Sequence, residues 1–262
     1  MLAPKSPRTA EETKVYGLNA CAAIWQHRAA AIIRVYVTPE RMREFGPLLK
    51  WCAKQKKTYH VLEAAELERV AQSVHHEGVV FLTQAPQRLN DEQLLARLPD
   101  LSGPQCLLFL DGVQNPHNVG SITRVAAHFG VPFILGPDRL LPRLTPAAAR
   151  IAEGGMEHVT FVGLHDANGT LAQLRLQGFK IIVTSSHTTD SLYERPLPAR
   201  TVLVLGGEVE GASPQALKLA DEVRAIPGTG SVESLNVSVA TGLCLGEFWR
   251  NHAAPALPRA GR

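Results

Sequence analysis

The chain has 262 residues, 45% of them apolar, and a formal net charge of +3. That length allows one large domain or two modest ones, and the apolar content argues against disorder. Four scattered cysteines (Cys21, Cys52, Cys106 and Cys244) form no CxxC pair, which argues against a zinc site or a disulfide framework and suits a reducing cytosol.

The N-terminal "MLAPKSPRTAEETK" is polar, and no apolar run approaches the length needed to span a bilayer. A cytoplasmic protein with no membrane partner is the expectation. The charge is uneven: residues 1–78 hold 12 basic and 8 acidic side chains, the remainder 15 and 16. The basic run "KWCAKQKK" in residues 50–57 fits a solvated helix end or a phosphate-backbone footprint equally well.

In chain order, residues 1–15 are expected to be a tail, and residues 16–84 a small α/β sandwich. Its strands are "IIRVYV", "YHVL" and "GVVFLT". A helix is expected over residues 39–55, with Met42, Phe45, Leu48, Leu49 and Cys52 at helical spacing, and another at "AAELERVAQ". Residues 85–105 are rich in proline and polar side chains and read as a linker holding one short helix at 91–98.

A second α/β unit follows over residues 106–252, with strands "CLLFLD", "PFIL", "HVTFV", "FKIIVTS", "TVLVLG" and "VRAIP". Several are apolar throughout, as expected of a mostly parallel sheet covered on both faces. This unit is expected to stay folded without residues 1–84. Residues 253–262 read as a second tail.

Ligand sites in open α/β sheets lie beyond the carboxyl ends of strands, and three polar, glycine-bearing loops fall there. The first is "GVQNPHNVGSITR" (112–124). Asn118 can cap the helix that follows, while Val119, Ile122, Val125, Ala126 and Phe129 share its core face. His117, Ser121, Arg124 and His128 fall on the opposite side. A lone arginine near a helix start opposes the dipole there, so an anionic partner explains Arg124 better than chance does.

The second loop is "GGEVEG" (206–211), where Gly206 and Gly207 let a ligand approach the backbone and Glu208 adds a carboxylate. The third is "IPGTGSVESLNVSVATG" (226–242), which carries Ser231, Glu233, Ser234 and Asn236 straight into an apolar helix. One cap, from Ser231 or Ser234, would be enough to start that helix.

No phosphate-binding GxxxxGK[ST] loop, GxGxxG fingerprint, GxSxG elbow or HExxH zinc pair is present. No metal is expected.

Taken together, "NPHNVGSITR", "LVLGGEVEG" and "IPGTGSVESLNVSVA" resemble, in order, the three motifs of the SpoU/TrmH family of SPOUT-class RNA 2′-O-ribose methyltransferases. The branch most resembled is a less characterised tRNA/rRNA methyltransferase-like one. The first third resembles the family's substrate-binding domain through "VYGLNACAAIWQHR" and "HHEGVVFLT". Many members have IPM where this chain has Ile226-Pro227-Gly228.

The resemblance implies a mostly parallel sheet with a deep trefoil knot, S-adenosylmethionine as cofactor, rRNA or tRNA as partner, and a homodimer formed through the C-terminal domain. It implies that Leu205, Gly206, Gly207, Ile226, Gly228 and Leu235 hold the cofactor, with the small residues at 228–231 required by close passage of the chain. It implies catalytic roles for Arg124, Asn118, Glu208, Ser234 and Asn236, with Asn118 and Glu208 orienting Arg124 and the loops and Asn236 contacting the hydroxyl. The rival is a catalytically degenerate RNA-binding protein that kept the fold.

Overall fold

The computed structural model describes residues 11–208 and 210–252. The C-terminal tail and most of the N-terminal one lie outside the described residues. The chain forms two compact units. One holds the residues up to 87 together with 144–157, and the other holds 88–143 and 158 onward.

The elements of the first unit are β1 (Glu12–Tyr16), α1 (Leu18–Arg28), β2 (Ile32–Val37), α2 (Gly46–Lys54), β3 (Thr58–Val61), α3 (Ala64–Ala71) and β4 (Val79–Gln84). Its strands form a four-stranded sheet of order β1-β4-β2-β3. Alternation along the strands sends Val15, Val35, Val37 and Phe81 to a core shared with α1 and α2. Tyr16 and Val80 go to the other face, where Leu67 and Ala71 of α3 cover them.

Two expectations are corrected here. The expected tail contributes β1, antiparallel to β4 from Glu12↔Gln84 to Tyr16↔Val80. The expected helix over 39–55 is a 3-10 turn at Pro39–Arg41 followed by α2, which starts at Gly46. Pro47 lacks the N–H that an unbroken helix needs there, and is placed instead in the first turn of α2. Met42 is left exposed.

The elements of the second unit are α4 (Asp91–Arg97), β5 (Gln105–Asp111), α5 (Pro116–His128), β6 (Phe133–Pro137), β7 (Thr160–Leu164), α7 (Ala167–Leu176), β8 (Lys180–Thr184), β9 (Arg200–Gly206), α8 (Pro214–Leu219), β10 (Glu222–Arg224) and α9 (Val237–His252). Its sheet has six strands in the order β10-β8-β9-β5-β6-β7, with every neighbouring pair parallel. The helix between β6 and β7, α6 (Pro146–Ile151), belongs to the first unit, where Ala149 joins its core.

The central strands β5 and β9 are buried on both faces, which accounts for their unbroken apolar sequence. They run in register from Gln105↔Arg200 to Asp111↔Gly206, so the first and second loops leave the sheet side by side. The expected linker is mostly part of this unit. Leu89 bridges to Val162 and, with Leu94 and Leu98, joins the core, while Asn90 and Gln93 form a capping box on α4.

Candidate active site

The first loop begins where β5 ends. Asn115 caps α5 by accepting from His117 N at 2.9 Å, with Pro116 in the first turn. Asn118 is therefore not the cap. It lies one turn in, 5% exposed, and its side chain is used elsewhere. Its Nδ2 donates to Glu208 Oε1 in the second loop. Its Oδ1 accepts from Asn236 Nδ2 in the third loop at 3.0 Å. One amide thus ties all three loops together.

Asn236 is also the helix-start residue of α9, since its Oδ1 accepts from Ser238 N at 2.9 Å and Ser238 Oγ at 2.6 Å. Ser231 and Ser234, the expected caps, do not fill that role. Ser234 is exposed, and its side chain makes no hydrogen bond among the described residues.

The second loop is held by backbone. A Cβ on Gly206 would lie 2.2 Å from Ala212 N and from the Gly211 carbonyl carbon, so only glycine fits that fold of the loop. Gly207 N donates to Asp111 O at 2.9 Å, and Gly207 O accepts from Gly211 N at 3.0 Å. The pair expected to admit a ligand is occupied by the protein's own chain. Asp111, which none of the three motifs includes, adds its carboxylate as acceptor for Ser213 N at 2.7 Å. An acidic residue ending an otherwise apolar strand is the signal that could have found it.

In the third loop a methyl group placed on Gly228 would meet nothing within 4 Å. Gly230 likewise faces open space, but has φ +78°, a conformation that favours glycine. Close passage of the chain does not explain the small residues at 228–231. The loop presents open room, with Ile226 half-buried and Val232 and Leu235 exposed at 72% and 46%. Leu205, at the end of β9, is fully buried.

Arg124 lies on the outward side of α5 with His117 and His128, while Val119, Ile122 and Ala126 are buried. It makes no hydrogen bond or ion pair among the described residues. The expectation that Asn118 and Glu208 orient Arg124 and the loops is corrected in its Arg124 half: they bond to each other, and Asn118 to Asn236, linking the loops alone. Val125 and Phe129 flank α9, within 3.9 and 3.8 Å of where a Cβ would stand on Gly242 and Gly246.

The half-buried Ile226 and the exposed Leu235 are apolar side chains of the kind that would suit the adenosyl group of S-adenosylmethionine. Among the described residues, no three His, Cys, Asp or Glu side chains group as a metal site, and no helix is long and apolar enough to cross a membrane.

Comparison with known proteins gives consistent matches. The SpoU rRNA Methylase family matches residues 105–246, and the family described as RNA 2′-O ribose methyltransferase substrate binding matches residues 14–89. The chain is 41% identical over 94% of its length to an uncharacterized tRNA/rRNA methyltransferase YfiF of Escherichia coli O157:H7, covering 70% of that protein. It is 32% identical over 94% of its length to the 23S rRNA (guanosine-2′-O-)-methyltransferase RlmB of Pseudomonas syringae pv. tomato, covering 98% of that protein. Among solved structures, the SpoU methyltransferase AviRb of Streptomyces viridochromogenes, in complex with AdoMet, shares the fold with a TM-score of 0.75 at 20% identity, over 91% of this chain and 90% of that one.

Proposed function

The chain belongs to the SpoU rRNA methylase family, and from that premise and the geometry of its three loops we infer that it transfers a methyl group from S-adenosylmethionine to a ribose 2′-hydroxyl of RNA. The observation that carries this reading is the Asn118 amide, which joins Glu208 and Asn236 and so closes the three loops into one site.

When bound, S-adenosylmethionine supplies an electrophilic methyl carbon. Ile226 and Leu235 give the apolar walls of its site, Gly228 the space, and the Leu205 and Gly206 backbone the polar edge, since both backbone polar groups of Gly207 are already bonded within the protein. Methyl transfer is an in-line displacement, so alignment is the main demand on the protein. Asn236, fixed by Asn118, and the exposed Ser234 direct polar groups at the ribose. Arg124 presents a planar, hydrogen-bonding cation to solvent. Exposed and without a partner among the described residues, it holds an RNA phosphate and stabilises the negative charge that develops as the hydroxyl loses its proton.

The RNA is ribosomal or transfer RNA, held by the first unit, whose match to the substrate-binding family and basic excess support this role. The active form is a homodimer. Val239, Leu243 and Trp249 on α9 are exposed at 51%, 39% and 45%, apolar surface on either side of the α5 contact that a second copy would cover. The reading includes the trefoil knot of the second and third motifs and a cytoplasmic location, the latter supported by four buried free thiols.

Calorimetry with S-adenosylmethionine tests the cofactor, and mapping 2′-O-methyl sites in total RNA with and without the gene tests the reaction. An unchanged methylation map together with no cofactor heat would sink the proposal.

A further inference from the structure

The third loop departs from β10 at Ala225, and what holds that departure point lies outside the three motifs. Residues 185–199 run between β8 and β9 as a strap. Ala225 N donates to Asp190 O at 2.7 Å and Leu192 N donates to Ala225 O at 2.7 Å, which makes a parallel bridge of Ser191 with Ala225. Ser185 N donates to Arg224 O at 3.1 Å.

Arg224 sits against this strap, 1% exposed. Its Nε and Nη2 donate to Glu222 Oε2 at 2.8 and 2.5 Å, and its Nη1 and Nη2 donate to the Arg195 and Pro196 carbonyls at 2.7 and 3.4 Å. Arg195 Nη2 shares the same Glu222 oxygen at 3.0 Å. Burial alone would raise the Glu222 carboxyl, but the bonded guanidiniums of Arg224 and Arg195 hold it below its ordinary value. The strap also meets the C-terminal end of α9, where a ring nitrogen of His252 lies 2.7 Å from Leu197 O.

A buried guanidinium carries a desolvation penalty that an apolar side chain would avoid. What it adds is direction, because its planar fork reaches a carboxylate and two backbone carbonyls at once. We propose that Arg224 is a positioning residue for methyl transfer: it locks the strap to β10 and so fixes the backbone at Ala225 and Ile226, from which the cofactor loop extends. The proposal rests on reading that loop as the cofactor cradle.

The test uses the full chain with Arg224→Lys, which keeps the charge and loses the fork, and Glu222→Gln, which keeps the shape and loses the charge. Cofactor affinity, kcat, KM for cofactor, RNA affinity, thermal midpoint and amide exchange are measured. With Arg224→Lys, cofactor Kd and KM should rise about tenfold, the scale of one lost charged hydrogen bond. Exchange at residues 190–197 and 225–236 should quicken, while RNA affinity and kcat at saturating cofactor stay near wild type. Glu222→Gln should shift the same quantities in the same direction, and carries the test alone if the lysine variant does not fold. A lowered thermal midpoint with wild-type cofactor Kd would overturn the proposal, as would unchanged exchange at Ala225. Absence of cofactor binding in the wild type would instead sink the cofactor reading, and the exchange measurement would still report on the strap.

Discussion

The side-chain amide of Asn236 donates to the side-chain oxygen of Asn118 at 3.0 Å, across 118 residues of chain, and Asn118 passes its own N–H on to Glu208. Asparagine suits this place because it donates and accepts in opposite directions. Asn118→Ala frees Glu208 and Asn236, both exposed, to bond water, so it should unlink the three loops at a modest cost in stability. Asn118→Asp should be worse, because it sets a second carboxylate against Glu208. Both variants should lose methyl transfer, with the aspartate variant melting lower at neutral pH. Equal melting temperatures and retained activity would show that the network is dispensable.

Arg124→Ala should abolish methyl transfer and leave cofactor affinity nearly unchanged. Because Arg124 is exposed and has no partner among the described residues, stability should move by no more than about 0.5 kcal/mol. Calorimetry beside an activity assay decides this. Cofactor binding lost in step with activity would reassign the residue.

The parallel sheet was legible because both-face burial writes unbroken apolar strands, and the three loops because glycine and polar clusters interrupt them. Misreadings came where a tertiary partner overrode a local signal. Ser231 and Ser234 are good caps by type, but Asn236 caps α9 because Asn118 already holds its amide group in place. Gly206 looked like a ligand approach, yet the crowding comes from Gly211 and Ala212 of its own loop. Polar "ETKVY" gave no strand signal, since pairing to β4 supplies its order. Arg224 was invisible as a site residue because the partners that give it a role are carbonyls of a distant strap.

The second unit should not stand alone as cleanly as its sequence suggests. Residues 144–157 interrupt it and pack with the first unit: Ala149 and Met156 meet the core around Val15 and Ile24, and Arg28 pairs with Glu157 at 2.5 Å. A fragment starting at residue 88 would expose that apolar surface, at about 1.5–3 kcal/mol per large side chain uncovered. Thermal melting should show a lowered midpoint and a tendency to aggregate. RNA binding by the whole chain should weaken steeply with salt through counterion release. A fragment as stable as the whole chain would contradict the packing argument, and salt-independent RNA affinity would contradict the charge argument.

Asp91 offers a pH test remote from the site. Burial would raise its carboxyl, but hydrogen bonds from the His165 and Asp166 backbone amides and the Thr170 hydroxyl outweigh this and lower it to about 2. A lowered folded value means the contribution is present above the unfolded value of 3.8 and is lost as pH falls from there toward about 2. Asp91→Asn should lower the melting temperature at pH 7, and the gap from wild type should narrow as the pH falls from about 4 toward about 2. A gap that stayed constant down to about pH 2 would remove the ionised carboxylate from the explanation.

Assembly gives the last prediction. At about 100° per residue, Val239, Leu243 and Trp249 fall within roughly 120° of one another on α9, and all three are exposed. The opposite side, with Val237, Thr241, Cys244 and Leu245, is buried. Two-fold pairing is the commonest way to cover such apolar surface, so light scattering should give twice the chain mass, and Leu243→Glu should halve it. If the sites are shared across the pair, mixing an Arg124→Ala chain with a cofactor-dead chain should restore part of the activity. Gly228→Trp suits the second role, because position 228 has open space, whereas any side chain at 206 would break the loop itself. A monomeric mass would end the proposal. A dimer that shows no complementation would keep the packing argument and place Arg124 with the cofactor of its own subunit.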